Sequence, residues 1–221
     1  MNYDFFKKEF SMFYLKKTPW LLQKMFPERK WRIDTDEKVV YFTFDDGPHP
    51  EATSFVLDEL KKYNAKATFF CVGRNVKENF EVYERIISEG HRVGNHTYSH
   101  LNGWKTEDRI YLEDIAKAAK IIDSNLFRPP YGRITKFQVK AIQGNLLHLK
   151  TIMWDVLSGD FDPAVNGDNC YLNVVNNVKP GSIVVFHDSV KAFAILQYAL
   201  PRLLKFYSEN EYGFQVLPDD I

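Results

Sequence analysis

Short apolar runs alternate with helical patterns along this chain, and that alternation limits its fold more than any other feature. A regular succession of strands and helices is typical of a parallel sheet covered by helices. We predict strands at Val39–Phe44, Ala67–Val72, Arg92–Gly94, Phe127–Arg128, Leu149–Trp154, Ser182–Phe186 and Gly213–Leu217. We predict helices at Glu51–Tyr63, Phe80–Glu89, Thr106–Ser124, Thr135–Gln143, Asn169–Val178 and Lys191–Tyr207. The pattern indicates an α/β fold, a closed or nearly closed barrel, in a single domain that no linker or repeat divides.

Residues 1–38 precede the alternating pattern. They mix lysines with aromatic residues and lack the uninterrupted apolar core of a signal peptide or a membrane span, so we expect a cytoplasmic protein. We expect this extension to be helical and packed on the domain formed by residues 39–221. The alternative is a basic amphipathic helix in residues 1–26 that associates weakly with a membrane surface.

Composition excludes one class of partner and favours another. Lys+Arg and Asp+Glu both number 29, so the chain has no broad basic field for a nucleic acid backbone. Aromatic residues make up 15% of the chain and suit a neutral carbohydrate, because their faces stack on sugar rings without charge. The two cysteines, Cys71 and Cys170, make no disulfide framework, and Cys71 lies in an apolar run where we expect a buried thiol.

Two adjacent carboxylates end the first predicted strand. The apolar run Val39–Phe42 leads into Asp45 and Asp46, which Gly47-Pro48 follows. Side chains alternate along a strand, so both carboxylates reach one pocket only if the chain turns at Gly47-Pro48. A turn whose carboxylates cap the helix at Glu51 is the simpler interpretation, but it does not explain why two acids end a buried strand. We therefore assign both to a functional site.

A histidine pair completes a possible metal site. His96 and His100 are four residues apart, a spacing that one helical turn would place on the same face. Together with Asp46 they make three ligands and leave a fourth position for water, as in catalytic zinc sites. Zinc is the best match, and Ni²⁺, Co²⁺ or Fe²⁺ also suit these ligands. Asp45 then remains free to act as a base, which is typical of a hydrolase.

Three further motifs carry candidate groups. Prolines precede Tyr131 in the Arg128–Arg133 loop, which fixes the backbone and leaves the Tyr131 N–H available to a developing oxyanion. Arg128 is either a surface charge or a bidentate partner of Asp45. His187 ends another apolar strand and suits a general acid. The Trp154–Asp162 segment supplies three carboxylates, one of which could orient His187.

The remaining candidates have less support. Trp104 is either a platform for a sugar ring or a packed loop aromatic, with nothing in the sequence to decide between them. His49, His91 and His148 lack neighbouring groups of this kind, so we interpret them as structural or solvated.

Taken in chain order, these motifs resemble those of the polysaccharide deacetylase family with the NodB homology domain, carbohydrate esterase family 4. The motifs are Thr43–Pro48, His96–His100, Arg128–Tyr131, Trp154–Phe161 and Ile183–His187. The resemblance extends from Val39 to the C-terminus. It implies a distorted (β/α)7 barrel and the metal-dependent removal of N-acetyl or O-acetyl groups from a glycan.

The resemblance also implies a role for each matching residue. Asp45 would be the general base and His187 the general acid. Asp46, His96 and His100 would bind the divalent metal, with zinc the expected ion. Arg128 would position Asp45, and the Tyr131 amide would stabilise the oxyanion. Pro130, Tyr131 and Trp104 are the candidate substrate contacts.

One motif departs from the family pattern. An Asp-Trp pair is common there, with the Asp polarising the acid histidine, whereas this chain has Asp160-Phe161, and Asp155 is a rival for the same role. Two alternatives to deacetylation stay open, namely a glycan-binding module without catalysis and a cyclic-amide (ureide) hydrolase of the same fold. The intact Asp46, His96 and His100 set argues against the second.

Overall fold

Parallel strands frame the protein in the computed structural model, which describes residues 14–144 and 147–221. The strands are β1 Val39–Asp45, β2 Thr68–Cys71, β3 Arg92–Asn95, β4 Leu126–Phe127, β5 Lys150–Thr151, β6 Val156–Leu157, β7 Ile183–His187 and β8 Gly213–Phe214. Seven of them pair in the order β5-β4-β3-β2-β1-β7-β6, and β8 pairs with β1 outside this path. The predicted α/β fold is therefore confirmed as a half-barrel of parallel strands.

Helices follow most of the strands and cover the outside of the half-barrel. They are α1 Trp20–Met25, α2 Ala52–Lys62, α3 Gly73–Glu78, α4 Phe80–Ser88, α5 Asp108–Ala119, α6 Lys136–Gln143, α7 Gly167–Val175 and α8 Phe193–Glu209, with a 3-10 turn at Pro130–Gly132. Local signals explain several of the ends. Thr135 and Gln138 form a capping box at the start of α6. Gly90, at φ 77°, follows the end of α4 in the left-handed conformation that glycine adopts without strain.

Strand β1 is buried along its whole length because it has a core on each face. Val40, Phe42 and Phe44 belong to the core under the helices, where Phe44 stacks on neighbouring phenylalanines. The alternate residues Val39 and Tyr41 pack in the interior of the barrel. By the same alternation the side chain of Asp45 belongs to the interior face.

The ends of the central strands are level with one another. Asp45 at the end of β1 is in register with Phe70 on one side and His187 on the other. Asn95, at the end of β3, is in register with Cys71 of β2. The segments that follow these strands therefore emerge at one rim, as in other barrels of parallel strands.

Two predicted strands need correction. The prediction of Gly213–Leu217 as a barrel strand is wrong, because only β8 forms there and it pairs with Val39 and Val40 at the start of β1. The strand that completes the path of seven is β6, which was not predicted because two residues are too few to show an alternation of apolar and polar side chains. Leu149–Trp154 is reduced to the two residues of β5.

The N-terminal segment, residues 14–32, lies against the strands at the two ends of the path. Lys17 forms an antiparallel bridge with Val156 of β6, and Lys30 forms a parallel bridge with Ile152, just after β5. Helix α1 has no buried residue, so this segment packs through the extended stretches on either side of it. The rest of the expected helical extension, residues 1–13, lies outside the described residues.

Two smaller expectations concern cysteines and membrane spans. Cys71 is a buried free thiol, as expected, and Cys170 is one as well. Among the described residues, no helix combines the length and the hydrophobicity needed to cross a bilayer.

Candidate active site

The two aspartates share one pocket because the chain reverses at Asp46 itself. Asp46 has φ 83°, in the left-handed region, so the turn begins one residue earlier than predicted. The carboxylates do not cap α2. Instead, the ring nitrogen Nδ1 of His49 accepts hydrogen bonds from the backbone N–H groups of Glu51 and Ala52, which gives this histidine a structural role.

Asp46, His96 and His100 form a cluster with the donor atoms of a metal site. Their potential ligand atoms all lie within 4.8 Å of one another. Oδ1 of Asp46 is 3.0 Å from Nε2 of His100 and 3.7 Å from Nε2 of His96. Two ligands of a tetrahedral zinc are about 3.4 Å apart, so this spacing fits. Oδ1 of Asp46 is also buried without a hydrogen-bond partner in the described chain, as a coordinating oxygen would be.

A loop, not a helix, places the two imidazoles. The expected helical turn is wrong, because Thr97 and His100 both have left-handed φ values, 62° and 58°. Asp114 of α5 holds this loop by accepting the backbone N–H groups of Tyr98 and Ser99, at 2.9 Å each. These backbone hydrogen bonds, and not a helical turn, therefore position His96 and His100.

The protonation states of the cluster suit a cation. Burial acts to raise the pKa of Asp46, but its contact with His100 and the charges of His187 and His96 hold that pKa well below its usual range. Burial lowers the pKa of His96 to about 4, so its imidazole is neutral at pH 7. Nδ1 of His96 lies 2.8 Å from the carbonyl oxygen of Arg128; donation to that oxygen leaves the Nε2 lone pair for a metal.

Asp45, the predicted base, forms an ion pair with a buried arginine. The Arg128 side chain is fully buried, and its Nη1 donates to Oδ1 of Asp45 at 2.7 Å and to Oγ1 of Thr43 at 2.6 Å. Nε and Nη2 donate to the carbonyl oxygens of Ile152 and Met153 instead. The pair is therefore not bidentate, and Arg128 is not a surface charge.

The guanidinium of Arg128 packs over the face of Phe70, with a distance of 4.0 Å to the ring centroid. Burial lowers the pKa of Arg128, while the charge of Asp45 opposes that change. An ion pair in such surroundings orients one oxygen of Asp45 and leaves the other free of the arginine.

The loop after β4 presents the predicted oxyanion donor. Tyr131 has φ 60°, and Pro130 before it is buried, while the Tyr131 ring is exposed and lies edge-on to His100 at 4.8 Å. The N–H groups of Gly132 and Arg133 bond back to the prolines. Within the described residues, no acceptor takes the N–H of Tyr131.

The opposite side of the pocket holds the predicted acid. Nδ1 of His187 is 2.8 Å from Oδ1 of Asp160, and the other oxygen of that carboxylate accepts the His187 backbone N–H at 2.7 Å. Asp155 is elsewhere, bonded to Lys17 and Ser182. The structure thus places Asp160 beside the imidazole, and its contact through Nδ1 leaves Nε2 as the nitrogen that can donate.

The charge of Asp160 decides the titration of this histidine. Burial acts to lower the pKa of His187, but Asp160, with smaller contributions from Asp46 and Asp45, raises it to about 9. An imidazole with this pKa carries its proton at neutral pH, as a general acid requires.

Phe161 occupies the position after Asp160, where the family pattern has tryptophan. Its ring centroid is 5.1 Å from that of His187 and 5.2 Å from that of Tyr14. Tyr14 was not predicted as a site residue, because nothing in the sequence of the N-terminal segment indicates that it reaches this loop. Asn75 was not predicted either; its Nδ2 donates to the carbonyl oxygen of Asp46 at 2.7 Å.

Trp104 lies in the loop after the histidine pair and is exposed. Its Nε1 donates to the carbonyl oxygen of Ile134, and the Arg133 guanidinium stacks on its ring at 4.2 Å. The indole is therefore fixed in place with much of its surface open to solvent, which a sugar platform requires.

Comparisons with known proteins agree with this geometry. A family profile described as "Polysaccharide deacetylase" matches residues 32–145. A peptidoglycan-N-acetylglucosamine deacetylase from Bacillus cereus is 34% identical over 190 residues, covering 83% of this chain and 88% of that protein. A chitooligosaccharide deacetylase from Azorhizobium caulinodans is 31% identical over 212 residues, covering 85% of this chain and 96% of that protein.

A solved structure extends the likeness to three dimensions. The crystal structure of the Bc1960 peptidoglycan N-acetylglucosamine deacetylase, in complex with 4-naphthalen-1-yl-N-oxidanyl-benzamide, superposes with a TM-score of 0.82 at 31% identity. The match covers 91% of this chain and 95% of that one.

Proposed function

The chain belongs to the polysaccharide deacetylase family, and from that membership we propose that it hydrolyses the acetamide of an N-acetylated amino sugar within a glycan, with zinc as its metal. It is a carbohydrate deacetylase, and this family uses a divalent metal ion. The observation that carries the proposal is the pocket itself. One rim brings Asp45 and its arginine, the three-ligand cluster and the Asp160–His187 pair together.

The residues divide the hydrolysis into two proton transfers. A divalent cation held by Asp46, His96 and His100 would act as a Lewis acid that lowers the pKa of the attacking water and polarises the acetamide carbonyl. Asp45, oriented by Arg128, accepts the proton of the attacking water. The Tyr131 N–H donates a hydrogen bond to the oxygen that becomes negative in the tetrahedral state.

The second transfer releases the amine. Nε2 of His187 donates its proton to the nitrogen of the leaving sugar amine, while Asp160 stabilises the charged imidazole from the other ring nitrogen. The products are acetate and a free amino sugar. Trp104, fixed and exposed beside the histidine loop, is our candidate for the platform on which a neighbouring sugar stacks.

The intact site also bears on the two alternatives. A binding module without catalysis has no use for a base, three metal ligands and a polarised acid in one pocket. A ureide hydrolase tends to depart from this ligand pattern, and here the Asp46, His96 and His100 donors are together. No observation in the described chain favours either alternative.

Release of acetate tests the proposal. We expect the purified protein to release acetate from N-acetylated chitooligosaccharides. A chelator should abolish the release, and zinc should restore it. A panel that adds peptidoglycan fragments and an O-acetylated xylan identifies the preferred glycan. A zinc-loaded protein that binds these glycans and releases no acetate from any of them would contradict deacetylation and support the binding module.

A further inference from the structure

Asp188 is a buried carboxylate that the proposed hydrolysis does not use. It directly follows His187, and its side chain is fully buried. Its Oδ1 accepts the backbone N–H of Gly47 at 3.0 Å, and its Oδ2 accepts the hydroxyl of Thr53. Its own N–H donates to the carbonyl oxygen of Asp45 at 3.1 Å. Asp188 is thus bonded to the residues on both sides of Asp46.

The residue between these bonds is conformationally strained. A non-glycine residue with positive φ costs on the order of 1–3 kcal/mol and persists only where its surroundings hold it. Asp46, at φ 83°, has its carbonyl oxygen held by Asn75 and the next amide held by Asp188. If the strand continued regularly, alternation would turn the carboxylate of Asp46 away from that of Asp45. The bonds around Asp46 therefore keep both carboxylates in one pocket.

The carboxyl group of Asp188 packs tightly against the backbone of the turn. A Cβ atom at Gly47 would lie 2.1 Å from Oδ2 of Asp188, so the carboxylate rests directly against the glycine backbone. Both of its oxygens accept from neutral groups, an amide and a hydroxyl. Burying a carboxyl group this way is costly. An apolar side chain would avoid that cost but could not hold the turn.

We propose that Asp188 is the positioning residue of the Asp45–Asp46 pair, holding the turn that directs the base and a metal ligand into the same pocket. Its two side-chain oxygens are taken up by Gly47 and Thr53, so it would act through the turn and not as a ligand. The inference rests on the proposed role of Asp46 as a ligand. Asp188 directly follows His187, the last residue of β7. The end of this strand therefore provides the proposed acid, His187, and also the residue that holds the neighbouring base, Asp45, in place.

One substitution removes the acceptors of Asp188, and a second keeps them in a side chain of nearly the same shape. Asp188→Ala removes both acceptors, so the Gly47 amide is left buried without a partner. Asp188→Asn keeps an oxygen for Gly47 and can turn its amide towards Oγ1 of Thr53. We expect the alanine variant to lose the turn and the asparagine variant to keep most of it.

Zinc affinity, measured by calorimetry on the whole protein without substrate, is the primary test. Loss of a residue that orients a ligand costs about 10–100-fold in metal affinity or activity, and we expect this for Asp188→Ala. We expect kcat to fall in the same range while KM stays within about twofold, because the sugar contacts are untouched. Asp188→Asn should stay within about threefold of wild type for both measurements.

Asp155→Ala is the matched control, because Asp155 is an equally buried aspartate bonded to Lys17 and Ser182, away from the turn. We expect it to lower the melting temperature and leave zinc affinity unchanged. The proposal is overturned if Asp188→Ala binds zinc as the wild type does, or if Asp155→Ala loses as much affinity.

A third variant decides the case in which Asp188→Ala does not fold. Thr53→Val removes the hydroxyl that donates to Oδ2 and should weaken zinc binding by several-fold; an unchanged affinity would overturn the proposal. A wild-type protein that binds no zinc contradicts the metal site itself. Unchanged binding in the variants contradicts only the role of Asp188.

Discussion

The four central strands of the path, called the regular half below, and the short strands at its two ends, called the short half, contribute different groups to the pocket. In the regular half, β1, β2, β3 and β7 are four to seven residues long and pair in continuous register. In the short half, β4, β5 and β6 have two residues each. The N-terminal segment supplies hydrogen bonds to the short half, including Thr18 N–H to Asp155 and Leu157 N–H to Lys16.

The groups that would react come from the regular half. Asp45 ends β1 and Asp46 follows it, the two metal-site histidines follow β3, and His187 ends β7. The short half supplies groups that hold them, chiefly Arg128 beside Asp45 and Asp160 beside His187. The groups that would bind the metal or exchange a proton thus lie on long, level strands, whereas the short half contributes side chains that act through them, together with the Tyr131 amide.

Asp45→Asn, in the regular half, should have the largest effect. The amide keeps the shape of the side chain and an acceptor for Arg128 but cannot take a proton from water, so kcat should fall by about 10²–10⁴-fold. Metal content, measured by elemental analysis, should stay at the wild-type level because Asp46 and both histidines are intact. A variant with normal turnover would show that Asp45 is not the base.

Asp160→Asn tests a holding group from the short half, and we expect a smaller loss of about 10–100-fold in kcat. His187 acts as an acid only while protonated, so activity falls as pH rises through its pKa. Asp160 is the main cause of the raised pKa of His187, so removing its charge should lower that pKa. The alkaline fall in kcat should therefore move to lower pH.

A neighbouring carboxylate provides the control for this pH profile. Asp162 accepts the backbone N–H of Ala164 within a turn. Asp162→Asn should leave the alkaline fall of kcat in place. If both variants shift the profile equally, or neither does, Asp160 is not the group that sets the pKa of His187.

Lys17→Ala tests the support of the short half and should change stability more than activity. Nζ of Lys17 pairs with Asp155 at 2.7 Å, with the lysine side chain 32% exposed and the aspartate 1% exposed. Removing the amine leaves the buried Asp155 carboxylate without its charged partner and with only the Ser182 hydroxyl, which costs about 1–3 kcal/mol in the free energy of unfolding. Urea denaturation measures this loss, and kcat should stay within about twofold.

Lys24→Ala is the matched control in the same segment, since Lys24 is exposed and lies over the Trp20 ring at 4.0 Å. Its free energy of unfolding should change by no more than about 0.5 kcal/mol. If the two variants have equal free energies of unfolding, the contact of Lys17 with Asp155 does not stabilise the fold.

The sequence predicted the regular half well and the short half poorly. The runs around β1, β2, β3 and β7 are long enough to show as buried strands. Val156–Leu157 is too short to have a period, and Gly213–Leu217 has the composition of a strand but pairs only at the start of β1. Hydrophobic pattern measures burial, and a two-residue strand is defined by its hydrogen bonds instead.

The same limit applies to the candidate site. Residue types and their chain order identified Asp45, Asp46, the two metal-site histidines and His187, because chemistry restricts which side chains bind a cation or move a proton. Sequence alone left Asp160 and Asp155 as rivals. Only the structure separates them, since the contact of Asp160 with His187 spans β6 and β7.

The amino-acid sequence by itself determined the fold class, the family and the inventory of reactive groups, all of which depend on residue type and local pattern. The tertiary structure decided how those groups are aimed: the left-handed turn at Asp46, the loop that presents His96 and His100, and the buried contacts of Asp188. Direction depends on hydrogen bonds between residues far apart in the chain, and no local pattern records them.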